Sequence, residues 1–207
     1  MRFTYLLLLL MLSSVCLAQS AKDYFFPSPG KNRMVFAVTD SKNKPDGGNK
    51  THAYFEVKGD SAIITTLYYN NKVIKDSWQQ VVKVDQSEIY VVKEGSTKAD
   101  HAQAFEPNEF VIFKMPTQNG KVAWAHPRQS GAVTETFEAV LSTIAIDGQT
   151  KNAVKVTTQL KKKRTGRLLL TYVDYFVEGM GRYKRTAADG TEIEILESET
   201  FDPKPPR

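Results

Sequence analysis

The chain has 207 residues, with 28 Lys or Arg against 23 Asp or Glu, and a formal charge of +5. That excess is too small for an electrostatic nucleic-acid binder, and the length suits one domain with an ordinary hydrophobic core. The single cysteine, Cys16, excludes a disulfide-stapled scaffold.

Residues 1–18 read as a secretory leader: Arg2, then the apolar run Leu6 to Leu12, then Ser13 to Ala18 ending on a small residue before Gln19. The apolar run falls short of the roughly 20 residues that a transmembrane helix needs. Cys16 follows Val15, where lipoprotein signals carry Gly, Ala or Ser, so lipid anchoring is not expected. Cleavage after Ala18 removes Cys16 and leaves no transmembrane segment. A cysteine-free exported chain points to a bacterial periplasm or secretion from a bacterium rather than to animal secretion.

From Arg33 onward, alternation dominates. Strands are expected at Arg33–Thr39, His52–Lys58 and Ala62–Tyr69, the last two separated by Lys58-Gly59-Asp60. Val73–Val84 and Glu88–Val92 follow around Asp85-Gln86-Ser87. Residues 93–107 are polar, small and without period, and read as a long loop. Phe110–Phe113 and Val122–Ala125 come next, then the longer runs Val133–Ile146, Ala153–Leu160 and Leu168–Val177. Gly181–Thr186 and Glu192–Leu196 pair across Asp189-Gly190, a strong hairpin dipeptide.

In Ala153–Leu160, the apolar Val154, Val156 and Leu160 alternate with Lys155, Thr157 and Gln159. In Leu168–Val177 the apolar set Leu168, Leu170, Tyr172 and Phe176 is broken only by Asp174. One buried and one solvated face mark antiparallel sheet. The expected fold is therefore all-β: one domain of about eleven or twelve antiparallel strands over residues 19–200, curled into a sheet or partly open barrel with little helix. Residues 201–207, with three prolines, are expected to be a disordered tail. Pro27…Gly30-Lys31 before Phe36 and Pro116…Gly120-Lys121 before Trp124 form a faint internal echo.

Three short pieces carry a family resemblance. Asp23-Tyr24-Phe25-Phe26-Pro27 with Gly30, then Met115-Pro116 with Gly120 and Trp124, then Tyr175 to Lys184 with Gly179 and Gly181, resemble the anchors of the TapB-like family of bacterial exported proteins of unknown function. The opening departs from the pattern at Ser28, where a leucine is usual, and around Met34-Val35-Phe36, where a tryptophan is usual. The resemblance implies a curved antiparallel sheet, similar to lipoprotein-carrier half-barrels, and an envelope address. It implies no catalytic residue.

Chemistry is sparse. His52, His101 and His126 lie far apart with no cysteine beside them, so no zinc site is expected. No serine sits in a G-x-S-x-G context. Asp174 and Glu178, four apart, could share a strand face; Glu192 and Glu194 read as the solvent side of a hairpin whose Ile193 and Ile195 face inwards. Neither pair makes the converging carboxylates of a glycosidase. Gly179-Met180-Gly181 lacks the third glycine of a dinucleotide fingerprint, Lys184 standing in its place, and reads as a bend or bulge. No catalytic residue, cofactor or metal is expected.

Two surfaces remain. Tyr68, Trp78, Tyr172 and Phe176, with Tyr69 and Tyr175, could line a concave face that takes a lipid or other hydrophobic molecule, or could simply fill the core. Lys161, Lys162, Lys163, Arg164 and Arg167 form a basic hairpin tip. It suits an anionic lipid headgroup, a cell-wall polymer or an acidic partner, or serves as a solvated tip that discourages edge pairing. The expected function is a non-enzymatic exported envelope protein binding a hydrophobic ligand. The alternative is an interaction or structural module with a filled core, and a carbohydrate-active enzyme is a distant third.

Overall fold

β-Branched and aromatic residues at alternating positions build twelve strands in the computed structural model, which describes residues 20–39, 45–97, 106–117, 120–127, 132–202 and 204. They are β1 (Arg33–Thr39), β2 (Pro45–Lys58), β3 (Ser61–Asn70), β4 (Val73–Val84), β5 (Glu88–Ser96) and β6 (Glu106–Lys114). The second half holds β7 (Lys121–Pro127), β8 (Val133–Ile146), β9 (Gln149–Lys162), β10 (Leu168–Val177), β11 (Gly181–Ala187) and β12 (Glu192–Thr200). β1, β4, β8 and β10 have the expected bounds. Most others run longer because pairing carries them past their apolar runs: β5 continues to Ser96 and β6 begins at Glu106, so part of the expected 93–107 loop is strand. The leader and His101 lie outside the described residues.

The sheet order is β6-β5-β4-β3-β2-β1-β12-β11-β10-β9-β8-β7, antiparallel throughout. Two six-stranded meanders are thus joined by β1 on β12, and the sheet curls into a nearly closed barrel. The outer strands β6 and β7 meet where the Trp124 indole N–H donates to the Val111 carbonyl at 2.9 Å. Side chains fill barrels of about eight strands; twelve leave a wider interior that needs another occupant.

At one end that occupant is α1 (Ala21–Phe25), capped by Ser20 with a reciprocal Asp23 box. Ala21 and Tyr24 are fully buried. Phe25 stacks on Phe176 at 5.5 Å between ring centres and meets Phe113 edge-on at 5.7 Å. The chain then pairs with the β10–β11 turn: Pro27 bridges Met180, and the Ser28 and Gly179 backbones bond to Gly179 and Asp23 respectively. Gly179 and Gly181 both have φ of +71°. A Cβ on Gly181 would stand 3.0 Å from the Phe25 carbonyl oxygen, so this turn can seat α1 only without a side chain. Pro27 and the Gly179–Gly181 pair therefore form one junction, and Gly30 makes a positive-φ turn just beyond it.

Asp202 is tied back: it accepts from Arg33 at 3.1 Å, and its backbone N–H donates to the Asn32 side chain at 2.7 Å. Residues 203 and 205–207 lie outside the described residues.

Candidate functional site

Above the helical plug the barrel interior holds a cavity of about 730 Å³. Its floor is apolar, formed by Phe25, Met34, Phe36, Phe55, Ile64 and Phe176 from α1, β1, β2, β3 and β10. Its walls turn polar away from the plug. All four expected ligand-face residues line it: Tyr68, Trp78, Tyr172 and Phe176. Tyr68 is also 43 % exposed, so it marks the rim. Tyr69 and Tyr175 have the opposite parity and lie outside, Tyr69 packing at a tilt on His52 with ring centres 4.3 Å apart and Tyr175 lying under Lys184.

The wall formed by β10, β11 and β12 is an ion-pair network. Arg185 grips Asp174 with two bonds, Nε to Oδ1 at 2.8 Å and Nη2 to Oδ2 at 2.9 Å. Arg182 donates to Glu194 at 2.6 Å and approaches Asp174 at 3.8 Å. Thr51 from β2 donates to the other Glu194 oxygen at 2.7 Å. Each guanidinium also covers a ring, Arg182 over Phe36 at 4.4 Å and Arg185 over Tyr172 at 4.1 Å.

Two arginines three apart do not normally face the same side of a strand. A bulge allows it here. Tyr175 opposes Lys184 while Phe176 opposes Arg182, leaving Tyr183 as the extra residue that resets the parity of β11.

Burial by itself would raise the Glu194 carboxyl. Arg182, Arg185 and the Thr51 hydrogen bond outweigh it and hold the group below the ordinary carboxylate range. Arg185 is likewise pushed up against its burial by Asp174, so it stays charged.

Opposite this wall, Glu94 accepts from the Trp78 indole at 3.1 Å and from Gln80 at 2.9 Å. On β7 and β8, His126 stands 3.0 Å from Glu135, packed between Phe110 and Phe137 at 4.4 and 5.3 Å. Trp124 stacks on Phe137 at 5.1 Å, while Pro116 is buried and Gly120 closes a turn on Thr117.

Three sequence expectations are corrected. Glu194 is not on the solvent side of its hairpin: it is buried and faces the cavity, while Ile193 and Ile195 are half-buried on the outer face. The polar wall reverses the usual apolar-in rule, because Arg182 and Thr51 supply the partners that an inward carboxylate needs. Leu168 and Leu170 do not join the buried face of β10 either, being 49 % and 48 % exposed. β11 pairs with β10 only from Tyr172 onward, so the β9–β10 hairpin projects beyond its neighbour. Asp174 and Glu178 do not pair: Asp174 faces the cavity and Glu178 is exposed past the end of β10. Asp174 meets Glu194 instead, across Arg182.

The basic residues Lys161, Lys162, Lys163, Arg164 and Arg167 occupy the projecting hairpin. His52 is on the outer face of β2, bonded to Arg33 at 3.2 Å. Among the described residues no cluster of three His, Asp or Glu is placed to hold a metal ion, and no helix is long and apolar enough to cross a membrane.

No family model matches the chain, and no curated protein does. One solved structure does: a "putative exported protein with YmcC-like fold" from Bacteroides fragilis, with a TM-score of 0.50 at 8 % identity over 86 % of this chain and all of that one. The likeness is one of fold. It agrees with the curled antiparallel sheet expected from alternation, whereas the TapB-like resemblance still rests on its three short anchors.

Proposed function

We propose that this is an exported, non-enzymatic binding protein that holds one small amphiphile inside its barrel. The apolar part of the ligand lies over Phe36, Phe55 and Phe176, and its polar end meets the Arg182–Glu194 and Arg185–Asp174 pairs. The observation that carries the reading is the cavity itself, about 730 Å³, two-tiered and within the roughly 300–1,000 Å³ typical of ligand sites. A module whose only task is surface contact has no use for an interior left unfilled by its own side chains.

Export is supported by the leader at residues 1–18 and by the description of the structural neighbour. The TapB-like anchors agree with a periplasmic or secreted address. The non-enzymatic reading draws support from Glu194: a glycoside-cleaving pair needs one acid whose pKa is raised, whereas Arg182 and Arg185 hold the Glu194 carboxyl below its ordinary range.

The test is native mass spectrometry after incubation with a lipid extract of the host. One bound amphiphile per chain is expected. A chain that stays bare, or one that instead turns over oligosaccharides, contradicts the reading.

A further inference from the structure

Between Gln149 and Val173 the chain carries no Asp or Glu, and seven Lys or Arg fall there. Five of these, Lys161 to Arg164 and Arg167, sit on the β9–β10 hairpin, immediately before Leu168-Leu169-Leu170. The hairpin is well built: the Lys162 N–H donates to the Arg167 carbonyl at 2.9 Å, Gly166 to Lys162 at 2.8 Å, and Lys163 to Ala132 at 3.0 Å. The three leucines are 49 %, 43 % and 48 % exposed. A bulge at Leu169 sets Leu168 opposite Lys161 and Leu170 opposite Leu160, so Leu168 and Leu170 lie on opposite faces and both faces of this edge carry an exposed leucine. Among the described residues no carboxylate is ion-paired with any of the five basic side chains.

We propose that this hairpin docks the protein on an anionic bilayer surface, the leucines entering the headgroup–acyl boundary and the cations holding the lipid phosphates. Basic residues beside exposed leucines are the composition of an interfacial anchor. An acidic soluble polymer would engage the cations but leave the leucines with no purpose. The same end of the barrel exposes Tyr68 and Val73, at 43 % and 57 %. The depth is limited, since the backbone of residues 168–170 has no β11 partner and cannot satisfy its polar groups in hydrocarbon. Tyr172, two residues from Leu170, lines the cavity, so docking brings the cavity's polar tier next to the membrane.

The experiment is vesicle flotation with the protein expressed with its own leader. Vesicles of phosphatidylcholine are compared with vesicles containing about one-third phosphatidylglycerol, a content that gives a strong negative surface potential. The protein is expected to float with the anionic vesicles at least tenfold more tightly. Both K162E/K163E/R164E and L168S/L169S/L170S should lose that preference. With Leu169→Trp, tryptophan emission should shift to the blue on anionic vesicles and be quenched by lipids brominated near the headgroup, a readout that stands even if a triple variant folds poorly. Equal binding to both vesicles, no binding to either, or Leu169→Trp emission that stays unshifted would overturn the proposal. So would charge-only binding to soluble polyglutamate that the leucine variant retains.

Discussion

The two ends of the barrel are built on opposite principles. At the α1 end, aromatic rings, a capped helix and two positive-φ glycines lock the N-terminal segment into the sheet, with Ala21, Tyr24, Phe26 and Pro27 buried. At the β9–β10 end, one hairpin outruns its neighbour and leaves leucines and cations in solvent. Between the ends, apolar floor gives way to ion-paired wall. The closed end carries stability, and the projecting end is free to carry contact.

The contrast breaks most visibly by mutation. Phe113 is fully buried and touches both Phe25 and Phe176, so Phe113→Ala is expected to cost about 3–5 kcal/mol in urea unfolding. Leu169→Ala should change stability by no more than about 0.5 kcal/mol. Equal costs at the two ends would erase the distinction.

The ion-paired wall responds differently from either end. Asp174→Ala leaves the Arg185 guanidinium facing the interior without its bidentate partner, and should cost about 3–5 kcal/mol. Adding Arg185→Met removes the stranded charge and should recover about 1–3 kcal/mol, so the double variant is more stable than the single. Additive losses would mean that the pair is not coupled as its geometry indicates.

Much of this architecture is readable from residue order. Alternation located every strand of the second half because Val133–Ile146 and Leu168–Val177 are long and β-branched or aromatic. The glycines at 179 and 181 announced a bend, though not that α1 would seat against it. The polar wall was the illegible part. Asp174 sat in the parity of Tyr172 and Phe176 and so pointed inward, but only as an apparent exception. Glu194 could not be read at all, because alternation assigns faces by polarity and fails where the inner face is itself polar. Arg182 and Arg185 were hidden by the bulge at Tyr183, a backbone feature without a sequence signature of its own. Leu168 and Leu170 escape the parity reading because their exposure depends on where β11 stops and, for Leu168, on the bulge at Leu169.

A smaller effect comes from the outer face. Burial chiefly, then Arg33 and Lys50, push the His52 pKa from 6.5 down to about 4. The unfolded chain therefore takes up this proton at higher pH than the folded one. Its contribution to stability is complete above about 6.5, falls as pH drops from there, and is gone below about 4. His52→Gln should flatten the urea midpoint between pH 6.5 and 4.5, while the Glu194 contribution, which is lost at lower pH, remains. A wild-type midpoint that is already flat across that window would show that His52 is not held neutral.

The most direct measurement compares native mass spectra of wild type and Ala53→Phe after incubation with host lipid extract. Ala53 lines the cavity between Thr51 and Phe55, and a phenyl ring there occupies the space the ligand needs. Wild type should carry one amphiphile per chain, and the folded variant should carry none. Equal occupancy of the two proteins would contradict an internal binding site, and a wild type that remains bare would contradict binding itself.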